Sequence, residues 1–150
     1  MPHSLLQLYV HLIFSTHHRE PLLIASVRGS LHAYLATVLK NQDCPALKIG
    51  STRDHVRLLF RLSKNLALAE VVEKVKTSSS KWLKTQVRTL HSFYWQNGYG
   101  GFSVSPSALD SVAAYIGGQE EHHRTLSFQD EYRSFLKEYG VEYDEHYVWD

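Results

Sequence analysis

The chain has 150 residues, enough for one domain with a real core, and 43% of them are hydrophobic. Lys+Arg number 16 against 15 Asp+Glu; so even a balance argues against a uniformly basic nucleic-acid binder but leaves room for a local positive field. No apolar run approaches the roughly 18–20 residues of a membrane span, the start Met1-Pro-His-Ser-Leu-Leu6 lacks a secretory signal, and the single cysteine, Cys44, excludes an internal disulfide, so a cytoplasmic protein is expected.

The first element predicted is a strand from Leu5 to Thr16. Leu6, Leu8, Val10, Leu12 and Phe14 fall on one face and Gln7, Tyr9, His11 and Ile13 on the other, which implies a single deeply buried face. After the polar break Ser15-Thr-His-His-Arg-Glu-Pro21, Val27, Leu31, Tyr34, Leu35 and Val38 recur at helical spacing, giving a helix over about 23–40. Ala46 to Ile49 reads as a short strand. A stronger one follows, with Val56, Leu58, Phe60 and Leu62 opposite His55, Arg57, Leu59 and Arg61.

A second helix is predicted over about 67–85, with Leu68, Val72, Val75, Ser79 and Trp82 as its buried stripe. Lys74, Lys81, Lys84 and Arg88 line up nearly opposite; a solvated helix face accounts for them as simply as a ligand does. Phe93 to Phe102 mixes aromatic strand formers with bend-permitting glycines. Ser105-Pro106 opens a third helix that is expected to run toward Arg124, with Gly117-Gly118 as a weak spot in its middle. From Ser127 a last helix, with Phe128, Tyr132, Phe135 and Leu136, leads into an acidic, aromatic tail.

The order strand, helix, two strands, helix, strand, helix fits an α+β domain over 1–150. Its plan is a ferredoxin-like antiparallel sheet with helices on one face, plus a C-terminal tyrosine-bearing helix and the 127–150 tail. Tyr115 and Gln119, four apart on the third helix, share one side of it. A phenol is a useful nucleophile toward phosphodiesters, because a covalent phosphotyrosine conserves the bond for religation. A buried core tyrosine with a satisfied hydroxyl is the structural alternative.

Five segments in order resemble the single-tyrosine HUH transposase family, the insertion-sequence 200/605-type transposases and their repeat-associated relatives. They are His11-Leu-Ile-Phe-Ser-Thr16, Asp54-His-Val-Arg-Leu-Leu-Phe60, Lys76-Thr-Ser-Ser-Ser-Lys-Trp82, Trp95-Gln-Asn-Gly-Tyr-Gly-Gly-Phe-Ser-Val-Ser-Pro106, and Tyr115-Ile-Gly-Gly-Gln119 followed by His122-His123. The resemblance implies a DNA transposase that cuts and rejoins single-stranded DNA through a 5′-phosphotyrosine intermediate. It further implies hairpin recognition at element ends, a homodimer, and no nucleotide cofactor.

Tyr115 matches the nucleophile, and His55 and Gln119 match two ligands of the divalent cation, Mg²⁺ or Mn²⁺, that the family implies. The second histidine of the metal pair is here Arg57, whose guanidinium has only N–H donors and cannot ligate a cation. Two readings follow. Arg57 binds the scissile phosphate, with Lys74, Lys81, Lys84 and Arg88 holding the DNA backbone; or the chain is a cleavage-deficient hairpin-binding protein of the same fold. His11, His122 and His123 are accessory candidates. His11 fits equally as a histidine bonded between sheet and helix, and the other pair as helix-end residues.

Overall fold

The computed structural model describes residues 3–118 and 127–150. Four antiparallel strands, β1 (Leu8–Ser15), β2 (Ala46–Ser51), β3 (His55–Leu62) and β4 (Gly100–Val104), form one sheet in the order β2-β3-β1-β4. Helix α1 (Ala25–Asn41) connects β1 to β2, and α2 (Leu68–Gln86) connects β3 to β4. Each joins two parallel strands that flank a third, which is the ferredoxin-like plan. Helices α3 (Leu109–Gly117) and α4 (Phe128–Glu138) follow.

Both faces of the sheet are covered, so the expectation of one buried face per strand is corrected. Val10, Leu12 and Phe14 of β1 and Val56, Leu58 and Phe60 of β3 pack under α1 and α2. On the reverse, Ile13 and Phe102 meet Phe128, Tyr132 and Leu136 of α4, while Leu59 and Val104 meet Ile116 of α3. The central strands are therefore nearly continuous in burial, as sheets covered on both sides are. The fold class stands, with the second face occupied by the tyrosine helix and the helix after it.

Two local details position the second layer. Gly100 lies beneath Tyr132: a Cβ there would come within 2.6 Å of the tyrosine ring, so the strand needs glycine for α4 to sit down. Gly118 caps α3 and Gly117 is its last residue, so the glycine pair ends this helix and does not soften its middle. Pro106 opens a 3-10 turn, Pro106–Ala108, ahead of α3; the Ser105 hydroxyl meets Ser107 Oγ at 3.1 Å and caps no backbone amide. The Phe93–Phe102 stretch is mostly loop, with regular pairing confined to β4 and an isolated Thr16–Trp95 bridge. No described helix is long and apolar enough to cross a membrane.

Candidate active site

The second face of the sheet gathers the chemistry. Antiparallel register sets Arg57 opposite Ile13, His55 opposite Ser15 and His11 opposite Leu59. Alternation then sends His55, Arg57 and His11 out from the same face, with His11 diagonal to Arg57. Arg57 Nη1 donates to His11 Nε2 at 3.3 Å, so that nitrogen must be unprotonated. Burial, reinforced by the Arg57 charge, holds His11 down at about 3. It also packs edge-on against Phe135 of α4 at 5.5 Å, so it is hydrogen-bonded within the sheet and meets the helix only by ring contact.

Arg57 is fully buried. Its guanidinium is ion-paired with Glu131 of α4, itself 1% exposed. It also lies 5.5 Å from the centre of the Tyr115 ring and 5.2 Å from that of Phe135. Burial lowers its pKa to about 10, still well above neutrality. Tyr115, half-buried on α3, donates its hydroxyl to Glu131 Oε2 at 2.6 Å. Burial raises the Tyr115 pKa, with the Arg57 charge opposing in part. One carboxylate thus joins the arginine on the sheet to the tyrosine on the helix. A cavity of about 370 Å³, lined by His11, Tyr115, Phe135 and Glu138 among others, opens beside the phenol.

His55 is fully buried and tightly oriented. Its Nδ1 is 2.7 Å from Asp54 Oδ1 and 2.9 Å from Thr52 Oγ1, and its ring lies 4.2 Å from that of Phe128. A carboxylate on the far nitrogen is how metal-ligating histidines are commonly held. Among the described residues the remaining donors do not complete such a site. The position of the second histidine carries a cation, and Glu131 is committed to Arg57 and Tyr115. Among the described residues no group of three or more histidine, cysteine or acidic side chains could hold a metal ion. A hard divalent cation, which gains from oxygen ligands and negative charge, does not fit beside this guanidinium.

The structure brings together Tyr115, Arg57, His55 and His11, and adds Glu131, which sequence reasoning counted only as part of the acidic tail. Its signal was available: Phe128, Glu131, Tyr132 and Phe135 follow helical spacing, so one carboxylate interrupts an apolar stripe. Gln119, His122 and His123 lie outside the described residues. Lys74, Lys81, Lys84 and Arg88 are exposed, on or just after α2. That helix packs on the other face of the sheet, so the basic stripe and Tyr115 are not neighbours. As a phosphate ligand Arg57 is not in position here, because it is enclosed by α3 and α4 and paired with Glu131.

The family model described as "Transposase IS200 like" matches residues 4–119, and the chain belongs to that family. Among solved structures, a candidate transposase from Deinococcus radiodurans R1 is similar in fold, with a TM-score of 0.63 at 19% identity. The match covers 79% of this chain and 95% of that one. A REP-associated tyrosine transposase bound to a REP hairpin is also similar, with a TM-score of 0.61 at 10% identity, over 82% of this chain and 73% of that one. No curated protein matches.

Proposed function

We propose that the protein binds single-stranded, hairpin-forming DNA as a homodimer and does so without metal-assisted strand cutting. The observation that carries this is the buried Arg57–Glu131 pair, which stands where a second metal histidine is expected and engages the Tyr115 hydroxyl. Binding needs none of those groups. The exposed Lys74, Lys81, Lys84 and Arg88 offer a row of cations to a phosphate backbone, the term that dominates affinity for nucleic acid. A structural relative bound to a hairpin supports the choice of ligand. Titration of a labelled hairpin oligonucleotide at several salt concentrations tests the reading: affinity falls steeply with salt if it holds, and a salt-independent affinity overturns it.

A second reading, strand cutting through a 5′-phosphotyrosine, is favoured by one specific contact. Glu131 Oε2 already accepts the Tyr115 proton at 2.6 Å, the geometry of a general base beside its nucleophile. In that reaction the phenol oxygen attacks phosphorus and its proton passes to Glu131. The 3′-oxygen leaves and takes a proton from water. Arg57 would balance charge on the phosphate. The phosphate reaches the phenol through the cavity of about 370 Å³ beside it, so α4, which carries Glu131, stays in place and the wholly enclosed Arg57 acts through its charge and not by contact. A covalent protein–DNA adduct that Tyr115→Phe abolishes would establish it.

A further inference from the structure

The three consecutive aromatics Phe93, Tyr94 and Trp95 are used in two different ways. Phe93 and Trp95 are buried, at 2% and 4% exposure, and meet edge to face at 4.8 Å in the main core. Tyr94, between them, is 52% exposed. The core does not need it, and its backbone is fixed on both sides by residues the core does need.

Against Tyr94 lies His17, with ring centres 4.5 Å apart and a tilt of 37°, and His18 sits 3.7 Å beyond His17. The backbone goes out of its way to hold them. His17 N donates to Tyr94 O at 3.1 Å, and His18 and Arg19 are both non-glycine residues in left-handed conformation, with φ of 56° and 57°. Left-handed backbone at two successive side-chain-bearing residues is disfavoured and gathers at binding sites.

Between this loop and the segment after α2 is a cavity of about 290 Å³, lined by His17, Glu20, Thr89, Ser92 and Tyr94 together with apolar side chains. That volume lies at the small end of ligand pockets, roughly 300 Å³. Its wall carries a carboxylate and the hydroxyls of Thr89, Ser92 and Tyr94, so it repels a phosphate and accepts N–H donors. The exposed Arg88 immediately precedes Thr89, which joins the pocket to the basic stripe. At its other end Thr16 N donates to Asp54 O at 2.8 Å, which ties the loop to the residue beside His55.

We propose that this pocket seats one unpaired nucleobase of single-stranded DNA, stacked on the Tyr94–His17 pair, with an exocyclic amino group donating to Glu20. Phosphates flanking that base run toward Arg88 and Lys84. The inference rests on the DNA-binding reading above and adds where the strand is gripped and by what. Bases stack on aromatic side chains irrespective of sequence, while a carboxylate prefers cytosine, adenine or guanine over thymine, which lacks the amino donor.

The test uses fluorescence anisotropy with the full chain and a hairpin oligonucleotide bearing single-stranded flanks. Tyr94→Ala, a change at an exposed side chain, weakens binding about ten-fold and leaves the salt slope unchanged, because stacking releases no counterions. Tyr94→Phe keeps the wild-type affinity. An abasic nucleotide walked along the flank costs the wild-type protein the same factor at one position and costs Tyr94→Ala nothing further there. Wild-type affinity in Tyr94→Ala, with salt-dependent binding intact, overturns this pocket and leaves the DNA-binding reading standing. A wild-type protein that shows no salt-dependent binding of the hairpin overturns both.

Discussion

Glu131→Gln is the most informative perturbation of the buried pair. Arg57 is completely enclosed and Glu131 is 1% exposed, so neither charge can turn to water when its partner is neutralised. Breaking a buried ion pair on one side costs about 3–5 kcal/mol, because the remaining charge stays desolvated and uncompensated. Total stability of a domain of this size is of the order of 5–15 kcal/mol, so the variant loses a large fraction of it. With roughly 2–4 °C per kcal/mol, the melting temperature drops by about 6–20 °C. Arg57→Met alone strands the carboxylate and gives a loss of similar size. The double variant Arg57→Met with Glu131→Gln removes both charges and is destabilised by less than the sum, with a coupling of about 2 kcal/mol or more. Urea unfolding followed by circular dichroism and by tryptophan fluorescence measures all four corners. Single-variant losses under about 1 kcal/mol, or strict additivity, would refute the claim that these two charges are buried against each other.

Acid should act through His11. Its folded pKa of about 3 lies below the ordinary 6.5, so below pH 6.5 the unfolded chain binds a proton that the folded chain refuses. Stability therefore falls by up to about 1.4 kcal/mol per pH unit on the way down, and His11→Gln removes that share of the slope in urea titrations. Replacing Lys81 and Lys84 together should shallow the log-affinity against log-salt slope for a hairpin oligonucleotide by about one unit per lost contact; an unchanged slope would place the footprint elsewhere. Arg57→His combined with Glu131→Gln removes the cation and its counter-ion and recreates the histidine pair, and calorimetry should then detect Mn²⁺ binding to the double variant and none to the natural chain. Tight Mn²⁺ binding at this site by the natural chain would contradict the reading of Arg57.

The sheet and its two crossover helices were legible because their apolar periods are strong, and the observed ends of α1, α2 and β3 fall within two residues of those expected. The burial of the second face was less so. His11 and Arg57 look like solvent-facing residues in an alternating strand, and only the arrival of α3 and α4 encloses them. Glu131 shows the same difficulty from the other side, since a carboxylate in an acidic tail reads as solvated until its partner is known. Each charge is anomalous in its own segment, and the two anomalies explain each other only in three dimensions. Tyr115 and His55 stand out in the sequence only through the motif they match, and neither residue's own segment singles it out. The separation of the lysine stripe from Tyr115 was not, because helical spacing fixes which face of a helix is polar but not which face of the sheet the helix covers.

The central claim is that the Arg57–Glu131–Tyr115 group fills the site, so that DNA is bound and not cut. The most direct measurement is incubation of the full chain with a labelled single-stranded hairpin oligonucleotide, with Mg²⁺ or Mn²⁺ present. Native and denaturing gels of the same samples are then compared. A retarded complex on the native gel and no covalent species on the denaturing gel are expected, for the natural chain and for Tyr115→Phe alike. A denaturant-resistant adduct that appears with the natural chain and vanishes in Tyr115→Phe would contradict the claim.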